Sequence, residues 1–180
     1  ADLVETSGPC HSGYTCMQTS DFGVIDPINT DWKIDLSVQS KLPTTEGMLA
    51  YQYAIQHWQD IIVGDLESVS TAGFADDGCA ASYPEVIDDM HICGRDAEID
   101  GVGGVLGTAS IQYVRSTDGT VISGNMEFDK DDAQAMINDG TFQTVIIHEM
   151  GHILGLGSLW QQNNLVVSDG DGGYVYTGAH

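Results

Sequence analysis

His148-Glu149-Met150-Gly151-His152 sets two histidines four residues apart with a glutamate beside the first. On an α-helix, positions four apart lie one turn apart on the same face. His148 and His152 can therefore bring two imidazole nitrogens to one zinc ion at about 2.0–2.1 Å. Glu149 lies about 100° round the helix from His148. That places its carboxylate beside such a metal rather than on it. There it could take a proton from zinc-acidified water and pass it to a leaving amine. With six histidines and seven glutamates in 180 residues, a chance H-E-x-x-H comes to under about 1%. The bland reading is a buried helix that happens to show two histidines. Beside a carboxylate with no basic partner, these would form a costly polar cluster.

A catalytic zinc usually has three protein ligands and an open position for water. The extension H-E-x-x-H-x-x-G-x-x-H is followed through Gly155, but its last position holds Ser158. His11, His57 and His91 precede the motif, and His180 is the only histidine after it. Acidic residues are plentiful as well; His180 is a candidate for the third ligand, although terminal residues are seldom tied down.

The elements that must position these groups are legible around them. Thr141–Trp160 reads TFQTVIIHEMGHILGLGSLW; Phe142, Val145, Ile146, Ile153 and Leu154 predict a buried helix starting at Asp139 or Thr141. Met48, Tyr51, Ile55, Trp58 and Ile62 recur at three and four, predicting an amphipathic scaffold helix opened by Thr44 or Thr45 and ended by Gly64. His57 on it reads as a surface or packing residue. Trp32, Ile34, Leu36 and Val38 alternate as one face of a strand. Further strands are expected near Met90–Cys93, over Ala109–Arg115 after the glycine-rich turn Gly101–Gly107, and over Val121–Phe128, with Asp118-Gly119 marking a tight hairpin. That turn lacks the Lys-Ser/Thr ending of a phosphate loop. Asp129 should cap a short helix that Gly140 closes.

Twenty-seven acidic against five basic residues give a net charge of −22. No basic patch exists for nucleic acid or anionic lipid, and no apolar run approaches the roughly 20 residues that span a bilayer. Asp169 and Asp171, in SDGDGG, are candidates for calcium, though without an EF-hand's closing glutamate. Cys10, Cys16, Cys79 and Cys93 permit three connectivities, of which the local pairs Cys10–Cys16 and Cys79–Cys93 are the simplest. Thiolate zinc binding would need C-x-x-C knuckles, which are missing. Two disulfides imply an oxidising compartment, hence a secreted or cell-surface protein. No signal peptide opens the chain, so a processed form is expected.

Together these blocks carry a family resemblance. IDGVGGVLGTA, VRSTDGTVISGNMEFD and TVIIHEMGHILGLGSLW, with AIQHWQDIIVGDL before them, resemble the leishmanolysin-like zinc metallopeptidases in their bacterial and protist branches. The resemblance implies an α+β, zincin-like fold related to the metzincins. It would comprise a twisted mixed sheet, a scaffold helix and an active-site helix carrying His148 and His152 as ligands and Glu149 as base. Gly155 would turn the chain toward a third ligand, a downstream histidine followed by a methionine turn. An edge strand would pair with extended protein or peptide substrate, Gly124–Phe128 being that strand or its neighbour. No methionine follows Met150, so the expectation is an irregular arm over residues 1–30 and a catalytic domain over 31–180 lacking its C-terminal part, which a fragment of the same precursor would supply. The expected activity is zinc-dependent endopeptidase. The alternative is a non-catalytic structural or adhesive module whose metal staples the fold, against which the intact Glu149 argues.

Overall fold

The computed structural model describes residues 15–18, 32–40, 44–75 and 83–178. In chain order its elements are β1 (Thr15–Gln18), β2 (Ile34–Ser40), α1 (Thr45–Gln59), β3 (Val69–Ser70), β4 (Val86–Ile87), β5 (Met90–Ala97), β6 (Gly107–Val114), β7 (Val121–Asp129), α2 (Lys130–Asp139), α3 (Phe142–Ile153), β8 (Val166–Ser168) and β9 (Tyr174–Tyr176). Five strands form one mixed sheet in the order β1-β2-β5-β7-β6; β3-β4 and β8-β9 are separate two-stranded ribbons. The centre, β2-β5-β7, is parallel, and both flanking pairs are antiparallel. This is the expected α+β, zincin-like architecture.

Register explains the core. Ile34 pairs with Met90, Leu36 with Ile92, Ile92 with Gly124, and Gly94 with Met126. One sheet face is thus apolar and takes the helices, with Met48, Tyr51 and Ala54 of α1 and Ile146, Met150 and Ile153 of α3 all buried. Two strand glycines let helices approach: a Cβ on Gly94 would lie 2.6 Å from the Tyr51 hydroxyl, and one on Gly124 would lie 2.6 Å from Ile153 Cγ2. The opposite face is polar yet covered. His91 and Ser123 are paired and buried there, with Ser37 Oγ 2.9 Å from His91 Nε2.

Several local expectations hold for the stated reasons. Thr44 Oγ1 accepts from Gly47 N at 3.0 Å to start α1. Asp129 accepts from Asp131 N at 2.8 Å to start α2, and Gly140, at φ 80°, ends it. Trp32, Ile34, Leu36 and Val38 are all buried.

Other boundaries differ. α1 ends at Gln59 rather than at Gly64; Ile61-Ile62-Val63 is β-branched, which disfavours continued helix. Thr15–Gln18, within the expected irregular arm, forms a strand antiparallel to β2. Gly124–Phe128 lies in β7, the neighbour of β6, which ends the sheet order among the described residues, so the second of its two expected places holds. The β6–β7 connection is wider than a two-residue turn, because Gly119 N donates to Arg115 O (2.9 Å) and Arg115 N to Thr120 O (2.7 Å).

The glycine-rich turn before β6 is held by carboxylates. Asp129 Oδ2 accepts from the backbone N–H of Ile99, Asp100 and Gly101 at 2.9–3.0 Å. Asp132 accepts from Gly103 N at 3.0 Å. The Asp131 N–H at the start of α2, and after it those of Asp100, Gly101 and Ile99, favour the charged form and bring the Asp129 carboxyl from the ordinary 3.8 down to about 2, against the opposing pull of desolvation.

Candidate zinc site

α3 begins at Thr141, one of the two expected starts. Its N-cap makes no side-chain bond to the helix; Asp139 Oδ1 instead accepts from Thr141 N at 2.9 Å, bracing the junction with α2. Ile146, Met150 and Ile153 turn inward and are buried, which rolls His148 and His152 outward, exposed and half-buried respectively.

The two histidines converge as their spacing predicts. Their Nε2 atoms lie 3.0 Å apart and their rings meet edge to face, with centroids 4.6 Å apart. His152 Nδ1 is 2.8 Å from the Leu156 carbonyl. A carbonyl can only accept, so Nδ1 carries the proton and Nε2 presents its lone pair outward, the tautomer that metal ligation requires. Two imidazole nitrogens on a tetrahedral zinc stand about 3.3 Å apart, given bonds of about 2.0–2.1 Å. The pair thus fits a zinc ion with a movement of a few tenths of an ångström. Glu149, adjacent in sequence, is 7% exposed. Burial pushes its carboxyl above the usual range, and the His148 and His152 imidazoles oppose that rise.

After Ile153 the chain reverses through Gly155 and Gly157, at φ 101° and 80°, a region L side chains avoid. The His152 carbonyl accepts from both Gly155 N (3.1 Å) and Ser158 Oγ. Ser158 therefore closes the turn where the extended motif would have placed a ligand.

No third His, Cys, Asp or Glu joins the pair among the described residues. His57 is exposed at the end of α1, edge-on to Trp58 at 5.4 Å, and His91 is buried in the sheet. His11 and His180 lie outside the described residues. So do Cys10 and Cys79, while Cys93 is buried on β5 and no described cysteine is free. Asp169 Oδ1 accepts from Asp171 N and Gly173 N at 2.9 and 2.8 Å, closing the β8–β9 turn.

A cavity of about 440 Å³ opens beside the histidine pair rather than over it. Its walls are the strand starts at Trp32, Met90 and Val121, the α1 exit at Ile62 and Leu66, and the post-helix residues Leu154, Leu156, Leu159 and Trp160.

Sequence and geometry agree with an outside comparison: residues 27–168 match the matrixin family. The chain belongs to the matrixin family. Matrixins are zinc metallopeptidases of the metzincin type, and the match spans β2, β5, β7 and β6 of the sheet, helices α1 to α3 and the histidine pair. No curated protein matches the chain. No described helix is long and apolar enough to cross a membrane.

Sequence reasoning missed the tie between Asp129, Asp132 and the glycine turn. Its signal was present: a run of glycine N–H donors, GVGGVLG, and acidic residues at a strand–helix junction. Such donors need acceptors. It also missed the buried guanidinium of Arg115, which donates to the carbonyls of Asp89 (2.7 Å) and Val121 (2.9 Å).

Proposed function

We propose that this matrixin is a secreted zinc endopeptidase in which His148 and His152 ligate the metal and Glu149 is the general base. One observation carries the reading: on a single buried helix, two Nε2 atoms lie 3.0 Å apart with a sequestered carboxylate next to them. When bound, zinc supplies Lewis acidity, acidifying water and polarising the scissile carbonyl. The chain's own residues do the rest. The Leu156 carbonyl holds the His152 tautomer. Glu149 accepts the proton released as water attacks and returns it to the amine nitrogen as the peptide bond breaks. The outer edge of β6, last in the sheet among the described residues, is where an extended peptide would align, adding its backbone as another strand.

The third ligand would come from His180 or from a segment outside this chain. The narrower kinship with leishmanolysin-like peptidases rests on the motif blocks alone. Secretion rests on the cysteines, paired as Cys10–Cys16 and Cys79–Cys93.

The test is zinc content and casein cleavage of the protein beside Glu149→Ala. Zinc in both and cleavage in the parent alone is the expected result; cleavage surviving in Glu149→Ala would overturn the role of Glu149.

A further inference from the structure

Trp58 is only half-buried, and besides its edge contact with His57 its side chain makes two contacts on the zinc helix beside the histidines. Its indole Nε1–H donates to the Ile147 carbonyl at 3.2 Å, the peptide just before His148. Its ring lies against Gly151, where an added Cβ would meet Trp58 Cζ2 at 3.2 Å, just before His152. Ile147 and Gly151 are four apart and share one flank of α3, about 60–100° from the histidine face. On the far flank, Ile153 sits against Gly124 of β7 so closely that a Cβ there would lie 2.6 Å away. The helix is gripped at two points, and neither grip involves a ligand.

The grip acts on rotation. An imidazole nitrogen stands about 6 Å from the helix axis, so a roll of about 20° displaces it by about 2 Å. A metal site tolerates ligand distances within roughly 0.2 Å. Ile146, Met150 and Ile153 hold the buried side of α3; the Gly151 flank is the other side that must be held against a roll. A hydrogen bond on one turn and ring contact on the next hold it.

We infer that Trp58 is a positioning residue, fixing the rotation of α3 and with it the direction in which the His148–His152 pair presents its Nε2 atoms to the ion and its remaining ligand. This role presupposes that the two histidines are the metal ligands.

The test uses cobalt(II) alone as probe, with visible absorption titrations of the parent, Trp58→Phe, Gly151→Ala and the double variant. Trp58→Phe loses the N–H donor and the distal ring; Gly151→Ala presses a methyl on that ring. Each single change is expected to weaken cobalt binding about tenfold, in the range of lost supporting-shell contacts, and to alter the absorption band. The double variant is expected to bind no more weakly than Gly151→Ala, because the ring atoms its methyl strikes are gone. A merely structural role would lower the thermal midpoint and leave the affinity and band of folded protein unchanged. Gly151→Ala keeps the indole N–H, so it tests the contact even if Trp58→Phe fails to fold. No cobalt binding by the parent would sink the ligand assignment itself. Parental affinity and band in the single variants, or additive losses in the double one, would overturn the role of Trp58 alone.

Discussion

The chain up to Ile153 and the chain beyond it are built on different principles. In the first region, sheet and helices share one apolar face, glycines admit close approach at Tyr51 and Ile153, and buried polar groups hold loops to the frame. In the second, from Leu154 to Gly178, conformation comes from turns: Gly155, Gly157, Gly170 and Gly172 all have positive φ. The β8–β9 ribbon leaves Val167, Tyr174 and Val175 more than half exposed. An isolated two-stranded ribbon is marginally stable by itself; here Thr177 N to Leu165 O at 2.7 Å adds a rung to the ladder, and Trp160 packs against Tyr176. The difference teaches where the site gets its precision. The histidines stand at the end of the first region, fixed from behind. The second contributes the Leu156 carbonyl and one wall of the cavity.

Substitutions should separate the two regions in graded order. Gly124→Val should do most. Its side chain has no space between Ile153 Cγ2 (2.6 Å) and Ser110 O (3.0 Å), so a loss of about 3 kcal/mol or more is expected in urea unfolding. Arg115→Ala comes next, at about 2 kcal/mol, because buried carbonyls of Asp89 and Val121 lose their donor.

The effect of Asp129→Asn depends on pH. The folded carboxyl titrates at about 2 and the ordinary value is 3.8, so its charged form stabilises the fold fully above about pH 4. That contribution fades as pH falls toward 2. Parent and variant stabilities should converge across this window; parallel curves would mean that the carboxylate is not what holds the glycine turn. Tyr174→Ser, on the exposed ribbon, should change stability by less than about 0.5 kcal/mol. A larger loss would show that the second region is packed more firmly than its exposure indicates.

What could be read from sequence follows the same division. The alternation in β2, the threes and fours of α1 and the four-residue spacing of the histidines are local periodicities, and periodicity survives folding. The caps at Thr44, Asp129 and Gly140 are local chemistry as well. The α1 boundary was misjudged because Gly64 is a visible breaker, whereas the β-branched run before it acts by accumulated weak preference. Long-range facts were out of reach: that Gly124 is where β7 meets α3, and that Asp129 serves the turn near Asp100, about 29 residues earlier. Nothing along the chain signals those meetings, because partners distant in sequence are set by topology.

The most direct test of the site is zinc-edge X-ray absorption on zinc-loaded protein, comparing the parent with His148→Ala and His152→Ala. The expected parent spectrum has a nitrogen/oxygen shell at about 2.0–2.1 Å with imidazole outer-shell scattering, and each variant should lose part of that scattering. A sulfur shell at about 2.3 Å, or a spectrum that neither substitution changes, would contradict the assignment of His148 and His152 as ligands.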